Sequence, residues 1–569
     1  MPQGPQGQMP QGSAQQGSLQ QGSLQQNNGA APVDEPGRAV ARLGILNGDA
    51  SIRRGDSTDW EAAAVNAPLM SGDQISVAAG GRAEIEIDAA HFLRIGGDTE
   101  LRLADLENGH YQVQVSHGMI VWRVLRESQA QADISTPLVS VHPGPQSTVR
   151  VEVSADGATH ITVRHGEADV SNEKGSEKVA ENTTMDVRGS MSDPEFQVVA
   201  ATPRDEFDGW SDQRDTYLLR AQSQRYVTKD VQGVEDLDPY GRWNYDPAYG
   251  WVWMPTVAAG WAPYQNGQWV WEDYYGWTWV DYEPWGWAPF HYGAWYSRPG
   301  LGWAWYPGPR IGHVWWRPAM VGFFGWGGGV GIGVGFGFGN IGWVALAPHE
   351  IFHPWYGRGG FVGVNAGVVR NANVLATFRN AGVAHGVTAV TAADFGRGNF
   401  RNTVAVDRGT LAQASLVRGA VPMTPTSQNL RFSNRAASVT PAAGAGASSR
   451  FYGGSAAGAS VRRTPFTQQQ AAVRSAVSSN AASWQRFQGT PQGAATNRGA
   501  ANGASPAGSA PGFNRFSSTP NSSANGATRQ VQVAPSIVQQ RPAAPAAAPR
   551  SAPAAGSRSS GARSSGGRR

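Results

Sequence analysis

Apolar and polar residues alternate with a period of two along much of residues 38–190. The clearest runs are AEIEID at 83–88, YQVQVS at 111–116, STVRVEVS at 147–154 and THITVRHGEADVS at 159–171. Gly, Asp and Asn separate these runs, and Ala-Asp-Gly at 155–157 lies between two of them. The pattern predicts short antiparallel strands with one buried face, arranged as a sandwich or wrapped sheet, with a hairpin turn at 155–157.

The pattern changes over residues 203–231, where acidic residues come first and Arg residues follow. That order of charges suits the helix macrodipole. Phe207, Trp210, Leu218 and Ala221 have a spacing compatible with one apolar helical face. The segment therefore predicts a helix that links two β domains.

Three segments with a period of 26 residues follow, from residue 240 to about residue 316. They read YGRWNYDPAYGWVWMPTVAAGWAPYQ, NGQWVWEDYYGWTWVDYEPWGWAPFH and YGAWYSRPGLGWAWYPGPRIGHVWWR. A glycine (Gly250, Gly276 or Gly302) precedes each Trp-x-Trp pair, where a turn with positive φ suits glycine. Each segment predicts one two-stranded unit, used three times, that buries its apolar face on the next.

Fifteen of the 22 Trp residues lie between positions 243 and 316. Two interpretations stay open: the rings form the core of a small β repeat, or some present exposed faces that stack on sugar rings or cationic groups. The candidate ligand-binding residues of the second interpretation are Trp243, Trp251, Trp253, Trp269, Trp277, Trp279, Trp295, Trp303, Trp305, Asp246 and Glu272. Glu272 occupies the repeat position of Asp246, whereas Arg298 occupies it in the third copy.

A glycine-rich segment follows at residues 322–343, where apolar residues from Val330 to Phe338 alternate with Gly. This alternation predicts a strand with one face of bare backbone, which permits close approach of another element. Residues 361–423 read as short strands with one or two short helices and are expected to form a small α+β cap.

The segment from His349 to His353, with Glu350 second, has the H-E-x-x-H spacing of zinc peptidases. In those enzymes the two histidines share a helical face and bind zinc, while the glutamate activates water. Pro354 disfavours the α conformation at His353, so the long active-site helix is not expected. The sequence favours a structural turn, predicts no metal or cofactor, and leaves a zinc-dependent peptidase as an alternative.

Composition separates the two ends of the chain from its middle. Residues 1–37 are rich in Gln and Gly, and residues 424–569 in Ala, Gly, Ser, Pro and Arg, so both predict disorder. After Asp407 there are 18 Arg and no Lys, Asp or Glu, which leaves about −15 for residues 1–407 when the net charge is +3. The Arg-containing C-terminal tail is therefore a candidate for contact with a polyanion.

Three classes of feature are missing from the sequence. The chain has no cysteine, which excludes disulfides, thiolate metal sites and a cysteine nucleophile. No apolar run reaches eighteen residues, so no simple transmembrane helix is predicted. No signal peptide is visible at the N-terminus.

Two stretches resemble known bacterial families. The ordered motifs GDASIRRGDS, RAEIEI, LRIGGDTELRL and VRHGEADV, within residues 38–190, resemble the FecR domain, a β-rich extracytoplasmic module. The motifs YGRWNYDP, YGWVWMP and WGWAPFHYGAW resemble a Trp/Tyr/Gly-rich family of uncharacterised, predicted secreted proteins, from about residue 203 to about 425. The resemblances imply a binding or assembly architecture and a periplasmic or secreted location, and they imply no activity.

The sequence thus predicts a mainly β, non-enzymatic cell-envelope protein. Its expected parts are a disordered segment at 1–37, a FecR-like antiparallel β domain at 38–190, a helical linker at 203–231, an aromatic repeat domain at 240–360, an α+β cap at 361–423 and a disordered tail at 424–569. We expect binding of a cell-wall glycan or an envelope protein through exposed Trp and Tyr. A structural protein–protein scaffold and the zinc peptidase are the alternatives.

Overall fold

The computed structural model describes residues 39–107, 109–190, 193–327, 338–356, 367–419, 421–439 and 463–488. Four predictions lie outside the described residues: the disordered segment 1–37, the alternation from Val330 to Phe336, and the tail residues 440–462 and 489–569.

Residues 41–200 form seventeen strands. They are β1 (Ala41–Asn47), β2 (Ala50–Arg53), β3 (Trp60–Ala62), β4 (Pro68–Leu69), β5 (Gln74–Val77), β6 (Arg82–Glu86), β7 (His91–Ile95), β8 (Thr99–Asp105), β9 (His110–Val124), β10 (Gln131–Ser135), β11 (Ser140–Pro143), β12 (Thr148–Val153), β13 (Thr159–His165), β14 (Glu167–Asn172), β15 (Gly175–Ala180), β16 (Thr183–Ser190) and β17 (Asp193–Ala200).

These strands pair into two sheets. The first sheet has the order β4-β1-β6-β7-β9-β12-β13-β16-β17. The second has the order β3-β2-β5-β8-β9-β10-β11-β14-β15, and only β9 and β10 are parallel among these neighbours. Both sheets contribute aliphatic side chains to one buried core, including Leu93, Val113 and Val151. The predicted mainly antiparallel β fold and the hairpin turn at 155–157 are confirmed. We call this unit the sandwich.

Strand β9 belongs to both sheets of the sandwich. Residues up to His117 pair with β8 and β10, whereas residues from Gly118 onward pair with β7 and β12. Gly118 has a φ of 94°, and a Cβ there would lie 2.5 Å from the Cα of Thr99. Because both the dihedral and the close approach exclude a side chain, glycine is required where the strand passes from one sheet to the other.

The helix predicted after the sandwich is present as α1 (Glu206–Arg220), which ends earlier than expected. The chain then continues into two short 3₁₀ helices, at Ser223–Tyr226 and Val234–Tyr240. Of the four residues on the predicted apolar face, only Leu218 is buried. The predicted apolar face therefore contributes little to the packing of the helix against the sandwich.

Ion pairs hold α1 against the first sheet. Arg94 of β7 is buried, with its guanidinium 2.9 Å from Glu84 and 2.6 Å from Asp215 of the helix. Arg214 of the helix lies 2.8 Å from the same glutamate. Although burial opposes ionisation of Glu84, the two guanidiniums hold the pKa of its carboxyl below the ordinary value. The polar side of α1 is thus the side that docks.

The three aromatic repeats form three antiparallel hairpins. Their strands are β18 (Gly241–Asp246), β19 (Gly250–Pro255), β20 (Gly267–Glu272), β21 (Gly276–Asp281), β22 (Ala294–Arg298) and β23 (Gly302–Tyr306), with the short helix α2 (Ala288–His291) after the second hairpin. The first and third hairpins join through Trp253 and Trp305 into a four-stranded sheet, while β20 and β21 stand as a two-stranded sheet.

A five-stranded sheet follows the repeats, in the order β26-β28-β24-β25-β27. Its strands are β24 (Val321–Trp326), β25 (Asn340–Ala345), β26 (Gly367–Val369), β27 (Val387–Thr391) and β28 (Ser415–Arg418), and the helices between them are α3 (Val374–Thr377), α4 (Ala392–Gly396) and α5 (Arg408–Gln413). Strands from both sides of residue 360 pair here, so the predicted boundary between repeat domain and cap passes through one sheet.

Two stretches of the tail that was expected to be disordered are folded. Phe432 is fully buried in the core of the sandwich. Helix α6 (Phe466–Gln488) follows a buried Arg463, and its Gln469 is also buried. The prediction of disorder from residue 424 is therefore wrong for residues 424–439 and 463–488. Within the part of the chain that the structure describes, no helix is long and apolar enough to cross a membrane.

Buried charges join the sandwich to the segment that leads into the repeats. The guanidinium of Arg42 lies 2.6 Å from the carboxylate of Asp236 and 3.6 Å from that of Glu86. The backbone N–H of Gly233 donates to Glu86 at 3.0 Å. Burial, reinforced by the carboxylate of Glu235, raises the pKa of Glu86 to about 8, against the opposing charge of Arg42. The folded protein therefore holds a proton on Glu86 over a pH range in which the unfolded chain releases it.

This proton predicts a pH dependence of stability. Since the pKa of Glu86 is raised on folding, its contribution is fully present below about pH 4.5 and is lost as the pH rises through about 8. Glu86→Gln keeps an acceptor for Gly233 and cannot ionise, so its melting temperature relative to wild type should rise between about pH 5 and about pH 8.5. Thermal melts of both proteins across this range check the prediction, and a difference that stays constant with pH contradicts it.

Candidate functional site

The three hairpins share one register, which sets their aromatic residues on matching faces. In the first hairpin, Trp243 pairs with Trp253 and Tyr245 pairs with Trp251. The matching pairs are Trp269–Trp279 and Trp271–Trp277 in the second hairpin, and Trp295–Trp305 and Ser297–Trp303 in the third. The turn glycines Gly250, Gly276 and Gly302 have φ values of 81°, 66° and 97°, as their positions before each Trp-x-Trp predicted.

Most of the tryptophans proposed as a stacking surface lie in the core. Seven of the nine candidate indoles are buried: Trp253, Trp269, Trp277, Trp279, Trp295, Trp303 and Trp305. Their rings pack against one another, as with Trp269 and Trp279 at 5.3 Å between ring centroids. A buried indole presents no open face, so these seven residues belong to the core and the prediction that they form a stacking surface is wrong.

The first hairpin keeps its outer aromatic residues open. Trp251 is 39% exposed and Tyr245 is 64% exposed, and their rings meet edge to face at 5.8 Å. Tyr226 stacks on Trp243 at 4.6 Å and contacts Trp251 at 4.7 Å. The indole N–H of Trp243 donates to the hydroxyl of Ser223 at 2.8 Å, which fixes the ring. We call Tyr226, Trp243, Tyr245 and Trp251 the first-repeat surface.

Two members of this surface were absent from the predicted site. Tyr245 occupies the repeat position of Trp271, so an alignment of the repeats that included tyrosine would have found it. Tyr226 precedes the first repeat, and only the 3₁₀ helix at Ser223–Tyr226 brings it against the hairpin. No local sequence signal points to that contact.

The equivalent pair in the second repeat has the same geometry and is covered. Trp271 and Trp277 meet edge to face at 5.3 Å, with an interplanar angle of 81°, which is also the angle between Tyr245 and Trp251. The indole N–H of Trp271 donates to Gln469 of helix α6 at 2.9 Å. Helix α6 thus covers the outer aromatic pair of the second repeat, whereas the equivalent pair of the first repeat, Tyr245 and Trp251, is exposed.

The two candidate carboxylates have structural partners. Arg298 and Asp246 hold the same repeat position in different copies, and their side chains lie 3.5 Å apart across the four-stranded sheet. The hydroxyl of Tyr296 also donates to Asp246, at 2.7 Å. Although burial acts the other way, these partners hold the pKa of Asp246 below its ordinary value. Arginine in the third copy therefore supplies a partner for the acid of the first.

Glu272, the acid of the second copy, is buried among charges from distant parts of the chain. Its carboxylate lies 2.5 Å from Arg54 of the sandwich and 2.9 Å from Arg463 of the tail. Burial raises the pKa of Glu272 to about 7, against the opposing effect of the two guanidiniums. This carboxylate faces an internal junction, so it is not available to a ligand at the surface.

The H-E-x-x-H segment is not helical in the structure. Residues 347–356 form no helix or strand, and His349 has a positive φ of 70°. The two carboxylate oxygens of Glu350 accept hydrogen bonds from the backbone N–H groups of Ala347 (2.8 Å) and Arg379 (2.7 Å). Among the described residues, no group of three or more His, Cys, Asp or Glu side chains is arranged so that it could hold a metal ion. The glutamate has the role of a turn cap here, as the proline after His353 indicated.

Part of the chain is similar in sequence to an uncharacterised family. Residues 234–350, which contain the three hairpins, match a family of unknown function, DUF6600. Two crystal structures of a proposed anti-sigma factor from Parabacteroides distasonis are similar to the chain at 13% and 14% identity, each with a TM-score of 0.21, covering 32% of this chain and 99% of that one. No curated protein matches the chain in sequence. A TM-score of 0.21 is too low to carry an assignment, so the FecR resemblance stays a prediction.

The contrast between equivalent tryptophans gives a stability prediction. Trp277→Ala removes a buried indole and should lower the free energy of unfolding by about 3–5 kcal/mol. Trp251→Ala, at the same repeat position, removes a partly exposed ring and should lower it by about 1 kcal/mol or less. Denaturant unfolding followed by circular dichroism measures both. Equal losses in the two variants would contradict the burial described here.

Proposed function

We propose that the protein is a non-enzymatic module of the bacterial cell envelope that binds a polysaccharide through the first-repeat surface. The observation that supports the proposal is the aromatic cluster in which the exposed Tyr245 and Trp251 lie beside the half-buried Tyr226 and Trp243. The rings at the equivalent positions of the other two repeats are buried. Large aromatic side chains left exposed at one place are typical of binding surfaces.

The chemistry of the cluster suits sugar rings. Trp and Tyr offer flat apolar faces that cover the C–H faces of a pyranose, while indole N–H and phenol groups hydrogen-bond to its hydroxyls. Tyr245 and Trp251 stand nearly perpendicular, at 81°, so a single flat ligand cannot stack on both. One ring would take the face of a sugar and the other its edge, which favours a chain of linked sugars over one isolated ring.

Two further expectations belong to this proposal. A periplasmic or secreted location would place the surface beside cell-wall polymers. Contact between the Arg-containing tail and a polyanion would add a second, salt-sensitive attachment. Arg463 forms ion pairs with buried carboxylates, so it would not take part in that contact.

A protein–protein scaffold is the second candidate function. The contact that favours it is that of Trp271 with Gln469, because there an aromatic pair of the same geometry receives a helix. On this alternative, the first-repeat surface would receive a helix of another protein and would show no affinity for glycans.

Binding to insoluble envelope polysaccharides separates the two candidates. Purified protein should co-sediment with peptidoglycan sacculi or bind members of a glycan array, and Trp251→Ala and Tyr245→Ala should each weaken binding about tenfold or more. Leu301→Ala is the control, since Leu301 is an exposed apolar residue in the turn of the third repeat. Unchanged binding in both aromatic variants, or an equal loss in the control, would overturn the proposal.

A further inference from the structure

Four carboxylates meet in a cleft between the sandwich and the second hairpin. Asp56 and Asp73 come from the sandwich, Glu272 ends strand β20 of the hairpin and Asp273 begins its turn, and all four are buried. The sandwich supplies Arg54, whose guanidinium lies 3.1 Å from Asp56 and 2.5 Å from Glu272. A buried carboxylate without a partner is costly, so these four groups require a further positive charge.

Arg463 supplies that charge from the C-terminal part of the chain. Its guanidinium lies 2.5 Å from Asp73, 2.9 Å from Glu272 and 3.4 Å from Asp56. A Cβ on Gly55 would lie 3.1 Å from the Cδ of Arg463, so a glycine there leaves room for the aliphatic stem. The cleft thus has both the charge and the shape for one arginine side chain.

The residues after Arg463 are recognised by polar contacts as well. The backbone N–H of Thr464 donates to Asp273 at 3.1 Å, and that of Phe466 donates to the carbonyl of Asp56 at 2.9 Å. The side chain of Gln469 donates to the carboxylate of Asp56 at 3.0 Å and accepts from the indole N–H of Trp271 at 2.9 Å. Gln469 therefore hydrogen-bonds to one group of the sandwich and to one group of the hairpin.

The docked segment depends on these two anchors. Within residues 463–478, Arg463 and Gln469 are the two buried side chains, and the others are half-buried or exposed. Segments that belong to a hydrophobic core fully bury a stripe of apolar residues. In this segment, Phe466 and Val473 pack against the core of the aromatic repeats but stay half-buried. A short segment anchored by one buried arginine and one buried glutamine, with half-buried apolar contacts beside them, has the contacts of a bound peptide ligand.

We propose that this cleft is a recognition site for an arginine-led peptide segment, and that residues 463–478 of the same chain occupy it as a displaceable intramolecular ligand. Recognition rests on an arginine paired with buried carboxylates, followed six residues later by a glutamine between Asp56 and Trp271. Release of the segment uncovers Trp271. The proposal is independent of glycan binding by the first-repeat surface.

A labelled peptide of residues 461–478, added to the full-length protein, tests the proposal. The wild-type chain should bind it weakly, because its own segment competes at high effective concentration. The Arg463→Ala chain should bind it about tenfold more tightly or better, measured by fluorescence anisotropy. A peptide with alanine at position 463 should not bind that chain. Arg474→Ala, an exposed arginine on the same helix, is the control chain and should bind the peptide no better than wild type.

Gln469→Ala is the second variant, because it weakens the docked segment without unbalancing the buried charges. It should bind the peptide with an affinity between those of wild type and Arg463→Ala, and its melting curve should show that it is folded. A folded Gln469→Ala chain that binds no better than wild type overturns the proposal. Saturable binding by the variants, lost with the substituted peptide, supports it.

Discussion

Indole rings carried by strands of five or six residues need cover that the hairpins themselves cannot supply. Each buried ring also carries an N–H that requires an acceptor. Trp295 donates to the carbonyl of Pro289 at 2.7 Å, and Trp305 donates to that of Tyr292 at 2.8 Å. Trp279 donates to the carboxylate of Asp281 at 2.9 Å, and burial raises the pKa of that carboxyl well above its ordinary range. Neighbouring segments thus supply the cover and several of the acceptors, while the indole N–H groups of Trp269 and Trp277 are buried without an acceptor among the described residues.

This requirement gives the three copies different surroundings. The second hairpin stands apart from the four-stranded sheet, is covered by the tail helix and shares a buried charge cluster with the sandwich. The third pairs with the first and brings Arg298 to Asp246. The first hairpin keeps an open outer face, with Tyr245 in place of a tryptophan. One repeated sequence thus yields two covered copies and one exposed copy, and the exposed copy is the one proposed to bind a ligand.

Local patterns predicted the local structure well. The strands of the sandwich, the three hairpins and their turn glycines follow from alternation and from the period of 26 residues, since both depend on near neighbours. Burial of Trp277 and Glu272 could not be predicted in this way, because their cover comes from Trp355, Phe395 and Arg463, far along the chain. The tail was expected to be disordered because its composition is poor in apolar residues, yet Arg463 docks by charge. Composition indicates how much apolar surface a segment can bury, and it gives no sign of one buried arginine that pairs with several carboxylates.

Hydroxyl-radical footprinting of the native full-length protein, read by mass spectrometry, tests the central claim most directly. The method reports the solvent exposure of each indole, so it compares equivalent positions of the three repeats in one experiment. Oxidation should be fast at Trp251 and Tyr245 and slow at Trp277, Trp279, Trp295 and Trp305. Oxidation of Trp277 at the rate of Trp251 would contradict the account, because the second repeat would then be as open as the first.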